Sequence, residues 1–113
     1  MSNLLEVIDA FRNLKVAVIG DAMLDVYLEG LVDRVCREAP VPVVSIENHF
    51  NAPGGAANTA VNIKSLGADV LFFSVVGADV EGLFLKQAIE SQHVNTDHLL
   101  ASPDRASLAK HRI

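Results

Sequence analysis

The chain has 113 residues, 50% of them hydrophobic, and a formal net charge of −5 at pH 7. This length allows one small domain with a packed core, and the apolar content argues against disorder. The acidic balance argues against a non-specific nucleic-acid surface, although a few local cations can still bind a phosphate.

The sequence favours a cytoplasmic location. The single cysteine, Cys36, cannot form an internal disulfide, which fits a reducing compartment. Glu6 and Asp9 interrupt what would have to be the apolar core of a signal peptide. The longest apolar run, residues 70–78, is too short to span a bilayer, so we expect no membrane partner.

The first predicted elements are a helix and a buried strand. Apolar residues spaced by three and four predict an amphipathic helix over residues 4–13. Residues 15–20 are almost entirely apolar and end in glycine, which is typical of a strand buried on both faces of a parallel sheet.

Two aspartates, Asp21 and Asp25, follow this strand. Ligands of open α/β sheets bind at the carboxyl ends of the strands, so both are candidate site residues in a strand-end loop. A carboxylate can accept two sugar hydroxyls at once, and we favour Asp25 for that role. A capping or turn aspartate is the alternative.

Residues 26–52 predict a small antiparallel β lid. Segments 27–32 and 41–47 favour strands, and no helical crossover separates them, so they form a piece apart from the parallel sheet. Such a lid exposes edges and an apolar face, and a second copy of the chain is a natural partner for it. Arg34 and Arg37 in the lid are either ligand contacts or solvated cations.

Two adjacent glycines, Gly54 and Gly55, precede an alanine-rich run that favours a helix. They permit positive φ and close approach of a ligand, and the free amides of a helix start point toward it. Asn58, in the first helical turn, carries donors and an acceptor suited to hydroxyls. An ordinary turn is the alternative. The pattern is neither a dinucleotide fingerprint nor a Walker A loop.

The remaining chain predicts a second buried strand and further elements. Gly67 ends the helix, and residues 68–77 form the strand that closes a right-handed β-α-β unit. Residues 80–91 predict a helix, and residues 94–100 predict a short strand. Residues 107–113 predict a last strand, which we expect to extend the parallel sheet.

Alternation along this last strand places Lys110 and Arg112 on one face. No Ser/His/Asp set is recognisable, and no metal-ligand spacing links the four histidines to one another or to the cysteine. We therefore assign no catalytic residue and no metal ligand. The histidines are His49, His93, His98 and His111.

The glycine pattern resembles that of a known family. Gly-Gly-Ala-Ala-Asn at 54–58, followed by Gly67 and Gly77, is similar to the N-terminal signature of the ribokinase-like (PfkB) carbohydrate kinases. Gly-Asp-Ala-Met-Leu-Asp at 20–25 and Glu-Ala-Pro-Val-Pro-Val-Val at 38–44 further resemble the heptose 7-phosphate kinases of bacteria.

The resemblance implies an α/β, ribokinase-like fold, with a mostly parallel sheet, helices on both faces and a small antiparallel β lid. Residues 1–113 would be the N-terminal portion of one such domain, with the lid inserted at about 26–52. The implied activity is ATP-dependent phosphorylation of a sugar or sugar phosphate, and the lid would pair two copies into a homodimer.

Carried over by position, Asp25 would accept sugar hydroxyls, Gly54 and Gly55 would let the backbone close on the sugar, and Asn58 would bond another hydroxyl. If the acceptor carries a phosphate, Lys110 and Arg112 are attractive partners for it. The alternative, which the sequence favours equally, is that Lys110 and Arg112 face solvent and bind nothing.

The family's catalytic Gly-Ala-Gly-Asp segment does not occur in these 113 residues. The resemblance therefore implies that the base lies downstream of Ile113, and that ATP and Mg²⁺ bind the complete enzyme rather than this chain alone. A non-catalytic sugar-binding or dimerising module is one alternative. A nucleotide-binding domain of oxidoreductase type is another, although it lacks the third glycine.

Overall fold

The computed structural model describes residues 3–113, apart from the side chain of residue 33. In chain order the elements are α1 (Asn3–Asp9), a 3-10 turn (Ala10–Asn13), β1 (Lys15–Ile19), β2 (Ala22–Val35), β3 (Pro42–Gly55), α2 (Ala56–Ser65), β4 (Asp69–Gly77), α3 (Val80–Ser91), β5 (Leu99–Ser102) and β6 (Leu108–Arg112).

The first sheet is parallel, with strand order β1-β4-β5. Strands β1 and β4 pair from Lys15 opposite Asp69 to Ile19 opposite Phe73, as expected for two strands joined through a helix. Gly67 follows α2 with a φ of 109°, a conformation that glycine adopts without steric cost. The two parallel strands and the glycine that ends the helix were thus predicted correctly from the sequence. The expected burial of the first strand on both faces was wrong, because only Val18 of β1 is buried.

The second sheet has the order β3-β2-β6. Strands β2 and β3 form a long antiparallel ribbon, from Ala22 opposite Gly55 to Val35 opposite Pro42. The register shifts twice, at Glu29/Gly30 and at Val32/Arg34. This ribbon confirms the antiparallel piece expected after the first strand. It extends beyond the predicted bounds because pairing continues to the twin glycines.

The core lies where one face of this ribbon meets the helices and the first sheet. Side chains alternate between the two faces of a strand, so residues 22, 24 and 26 of β2 are buried while residues 23, 25 and 27 point the other way. The largest fully buried side chains lie on β2, β4 and α3, namely Leu24, Phe72, Leu85 and Ile89.

Hydrogen bonds join the two sheets near the start of the ribbon. The buried Ser74 Oγ of β4 accepts a hydrogen bond from the Ala22 amide at 3.0 Å. The Ala56 amide at the start of α2 donates to the Asp21 carbonyl oxygen at 2.9 Å. These two hydrogen bonds fix the start of β2 against β4 of the first sheet and the start of α2 against the segment between β1 and β2.

The other face of the first sheet is exposed within the described part of the chain. Ile19 is 80% exposed and Leu100 is 62% exposed, although both lie on strands of this sheet. A cavity of about 330 Å³ lies over this face and reaches Gly20 and Asp21 at the end of β1.

Three predicted elements differ from the structure in helix type, in start or in partner strand. The predicted helix over 4–13 becomes α1 followed by a 3-10 turn, which tightens before the extended Leu14. The predicted strand over 94–100 starts only at Leu99, because Asn95 forms an Asx turn in which its Oδ1 accepts from the Asp97 amide at 2.7 Å.

The third difference concerns the last strand. Instead of extending the first sheet, β6 pairs in parallel with β2, from Met23 opposite Leu108 to Tyr27 opposite Arg112. Residues 107–113 therefore belong to the second sheet, whose edges are β3 and β6. No helix within residues 3–113 is long and apolar enough to cross a lipid bilayer.

Candidate functional site

Asp25 lies inside β2, and not in the strand-end loop that the sequence suggested. Its neighbours across the second sheet are Ala52 of β3 and Lys110 of β6. Since Leu24 and Val26 on either side of it are buried in the core, Asp25 projects from the opposite face of the sheet. A carboxylate at the centre of a three-stranded sheet is held by backbone pairing on both sides.

The Asp25 carboxylate is largely buried but incompletely hydrogen-bonded. Its side chain is only 14% exposed, and Oδ1 accepts no hydrogen bond from any described residue. The nearest cation is Arg112, whose Nε lies 3.6 Å from Oδ1, too far for a hydrogen bond. Because a buried acceptor without a donor is costly, this oxygen has the character of a binding group.

Gly54 lies directly against this carboxylate. A Cβ atom at position 54 would be 2.6 Å from Asp25 Oδ2 and 2.9 Å from Cγ, distances that real Cβ contacts do not show. Gly54 is itself buried and pairs with Met23, the residue two positions before Asp25. The absence of a side chain at 54 is therefore what leaves room for Asp25.

Gly55 forms the turn from β3 into α2. Its φ of 58° and ψ of −132° lie in a region that L side chains rarely adopt, and a Cβ there would be 2.6 Å from the Asp21 carbonyl oxygen. The structure thus confirms the prediction that a glycine with positive φ forms the turn before a helix. Asp21 contributes to it through its backbone, and its own side chain is exposed.

Asn58 lies in the first turn of α2, as predicted, and its side chain is exposed. No described hydrogen bond or contact joins it to Asp25. The structure thus places Asn58 just beyond the glycine turn, but it does not bring the amide and the carboxylate into direct contact.

Lys110 and Arg112 lie on the same face of the second sheet as Asp25, because partners in register share a face. Arg112 forms the ion pair with Asp25, and its side chain is 45% exposed, so part of it remains accessible to solvent. Lys110 is exposed, and no described acidic side chain pairs with it. The predicted cations and the predicted carboxylate are therefore on one surface.

The same face carries an aromatic pair that the sequence analysis missed. Tyr27 and Phe50 are cross-strand partners, and their rings stack with centroids 5.0 Å apart at an interplanar angle of 14°. Tyr27 is two residues from Asp25, so the period-2 alternation of β2 would have indicated it once the strand was recognised. We define the site surface as residues 25, 27, 50, 54, 110 and 112.

A second polar cluster lies at the other end of β6 and was also missed. Asp79 Oδ1 accepts from the Gly82 amide at 2.7 Å and from Ser107 Oγ at 2.7 Å, and Asp79 Oδ2 accepts from the Ser107 amide at 2.9 Å. Hydrogen bonds from Ser107 and then from Gly82 hold the pKa of Asp79 below its ordinary value. We call residues 77, 79, 82 and 107 the Asp79–Ser107 junction.

Neither cluster has the composition of a metal centre. Within residues 3–113 no three His, Cys, Asp or Glu side chains converge to hold a metal ion. The cavity of about 330 Å³ over the first sheet does not include Asp25 in its lining. The described residues that combine a buried, unsatisfied acceptor with nearby cations are those of the site surface.

Comparisons with known proteins agree on one family. The profile of the pfkB family carbohydrate kinases matches residues 13–111. Similar curated proteins include the bifunctional protein HldE of Gluconobacter oxydans, 43% identical over 107 residues, and that of Edwardsiella ictaluri, 42% identical over 103 residues. These matches cover 94% and 91% of this chain but 22% and 21% of the relatives, so the chain spans about a fifth of their length.

Solved structures show the same fold. The fructokinase of Vibrio cholerae O395, in its form with fructose, ADP and calcium ion, matches with a TM-score of 0.65 and 27% identity, covering 88% of this chain and 28% of that one. The fructokinase of Xylella fastidiosa with bound ATP matches with a TM-score of 0.62 and 23% identity, covering 86% and 26%.

The family and the fold class expected from the glycine pattern are thereby confirmed. On its sequence profile, its curated relatives and its backbone, this chain belongs to the pfkB family of carbohydrate kinases and has their ribokinase-like α/β fold.

Proposed function

We propose that this chain forms the sugar-binding part of an ATP-dependent carbohydrate kinase. The observation that carries this proposal is the Asp25 carboxylate, which is 14% exposed, lies under Gly54 and has an oxygen without a hydrogen-bond donor. A hydroxyl group of a sugar is a donor that would satisfy this oxygen. The family membership makes a sugar the natural source of that hydroxyl.

The acceptor that we propose is a sugar phosphate, specifically a heptose phosphate. Two features support it: the similarity to the HldE proteins, and the presence of Lys110 and Arg112 beside Asp25. The Arg112 side chain is 45% exposed and its Nε lies 3.6 Å from Asp25 Oδ1, so it can pair with the carboxylate on one side and bond a phosphate on the other. Lys110 would add a second positive charge on the same face.

In this proposal the residues of the chain position the acceptor. Asp25 accepts hydrogen bonds from sugar hydroxyls, Gly54 and Gly55 let the backbone approach the sugar, and Asn58 bonds a further hydroxyl from α2. Phosphoryl transfer depends mainly on positioning and on charge stabilisation, so holding the acceptor in one orientation is a direct contribution to the rate.

The family's catalytic Gly-Ala-Gly-Asp segment does not occur in these 113 residues, and within residues 3–113 no three acidic, His or Cys side chains converge. We therefore assign no residue of this chain to ATP, to Mg²⁺ or to the catalytic base. We propose that the chain is the N-terminal portion of one ribokinase-like domain, with the lid at about 26–52, and that the complete enzyme supplies these parts.

We also propose that the outer part of the ribbon pairs two copies of the chain into a homodimer. Val32 and Ile46 lie on one face of it and are 59% and 47% exposed. An apolar face of this kind, bordered by an unpaired strand edge, is stabilised when a second ribbon covers it.

The first test examines the role of Asp25 in the enzyme encoded by the whole reading frame that contains this chain. Replacing Asp25 by Ala removes a charged acceptor, so kcat/KM for the heptose phosphate should fall about 10- to 100-fold. The matched control is Asp21→Ala, which removes an exposed carboxylate and keeps the backbone oxygen that bonds Ala56. Equal losses in the two variants, or no loss in either, would show that Asp25 does not bind the acceptor.

The second test concerns the contact between Gly54 and Asp25. Gly54→Ala should lower the free energy of unfolding by about 1–3 kcal/mol, because the new Cβ overlaps the carboxylate. In an Asp25→Ala background the same change should cost close to nothing, since all three nearest atoms belong to Asp25. Urea denaturation of the four proteins measures this, and an undiminished penalty in the second background would contradict the contact.

The third test separates the phosphate from the sugar. Arg112→Ala should raise KM for the phosphorylated acceptor about tenfold, and should change KM for the unphosphorylated sugar much less. Arg12→Ala is the control, because that arginine donates to the Asp9 carbonyl oxygen in the N-terminal turn, away from β6. An unchanged KM in the Arg112 variant would remove this residue from the acceptor site.

The fourth test addresses the dimer. Val32→Glu should convert a dimeric enzyme into a monomer, because a charge placed on the covered apolar face cannot be desolvated cheaply. Analytical ultracentrifugation over a range of concentrations measures the change. Glu29→Gln on the same strand, at an exposed position, should remain dimeric. A monomeric wild-type enzyme at all concentrations would refute the proposal.

A further inference from the structure

The Asp79–Ser107 junction holds the residue that immediately precedes β6. Ser107 makes three hydrogen bonds to Asp79 and Gly77: its amide and its hydroxyl both donate to Asp79, at 2.9 and 2.7 Å, and its Oγ accepts from the Gly77 amide at 2.9 Å. Ser107 is thus fixed at its backbone and at its side chain, one residue before Leu108 begins the strand.

The junction also requires two glycines. A Cβ atom at Gly77 would be 2.6 Å from the Ser107 amide nitrogen and would overlap the Asp79 carboxylate. A Cβ at Gly82 would be 2.9 Å from Ser107 Oγ and would overlap the Gly77 carbonyl oxygen. Residues 77 and 82 are both buried, so the space that a side chain would occupy is filled by the loop before β6.

Strand β6 has little else to define its register. All five of its residues are exposed, and its described strand pairing is with β2 alone. An exposed edge strand without a buried face has a weakly specified register. A slip of one residue would turn Lys110 and Arg112 away from Asp25 and present Ala109 and His111 in their place.

We propose that Asp79 and Ser107 are positioning residues that set the register of β6 and thereby hold Arg112 beside Asp25. Neither residue touches the acceptor in this scheme. Asp79 also caps α3 through the Gly82 amide, so the carboxylate ties β6 to the loop between β4 and α3. This inference rests on the proposed role of Arg112 in acceptor binding.

The test uses the Ser107→Ala variant of the enzyme encoded by the whole reading frame that contains this chain. The variant loses the hydroxyl bonds to Asp79 and Gly77 but keeps the amide bond to Asp79. Hydrogen exchange of the amides of 108–112 should become faster by about fivefold or more, since a net contribution near 1 kcal/mol corresponds to that ratio. KM for the sugar phosphate should rise by about the same factor, with kcat nearly unchanged.

Two variants control this result. Ser107→Thr keeps the hydroxyl and should restore both the exchange protection and KM. Ser102→Ala removes a hydroxyl that accepts only from the Asp104 amide in the preceding turn, and it should behave as the wild type. If Ser107→Ala does not fold, Asp79→Asn provides the weaker change, because an amide still caps α3 but offers only one oxygen to Ser107 and Gly82.

The outcomes separate this inference from the proposed function. Unchanged exchange of β6 in Ser107→Ala overturns the junction's role whatever the kinetics show. Faster exchange with an unchanged KM overturns the link to the acceptor. In the double variant with Arg112→Ala, the two KM effects should be less than additive, since Ser107 acts through Arg112. Fully additive effects on KM would overturn the inference that Ser107 acts through Arg112. A wild-type enzyme without kinase activity would count against the proposed function alone.

Discussion

The approach of a glycine backbone to a carboxylate across two antiparallel strands organises this molecule. Asp25 on β2 and Gly54 on β3 are so close that any side chain at position 54 would occupy the same space as the carboxylate. A glycine at position 54 permits the ribbon to pair in this register, and the ribbon ends where Gly55 turns the chain into α2. A second glycine is required at position 55, where a Cβ atom would be 2.6 Å from the Asp21 carbonyl oxygen, so the two glycines together accommodate the acid and the start of the helix.

The surface around Asp25 combines three chemical properties on one face of a small sheet. A carboxylate with an unsatisfied oxygen, a partly exposed guanidinium and a stacked aromatic pair are contributed by three different strands. Backbone pairing, rather than side-chain packing, brings them together, because β6 has no buried residue. The residue just before β6, Ser107, is held by three hydrogen bonds to Asp79 and Gly77, and the proposed positioning role of the junction follows from this contrast.

Part of this arrangement could be read from the sequence. The parallel strands, the antiparallel ribbon and the glycine turn are visible locally, since apolar runs, missing crossovers and paired glycines have local structural meaning. The candidate residues Asp25, Gly54 and Gly55 were also recognised. Asp25 was expected in a loop, however, because nothing in residues 21–25 shows that the second strand starts immediately after the first.

The amino-acid order by itself determined the family, the two glycines and the alternation that puts Lys110 and Arg112 on one side of a strand. Only the tertiary structure decided which sheet that strand joins, and hence that these cations face Asp25 rather than solvent beyond the parallel sheet. The physical reason is that pairing of β6 with β2 joins residues more than eighty positions apart, for example Asp25 with Lys110. No local pattern records such a contact.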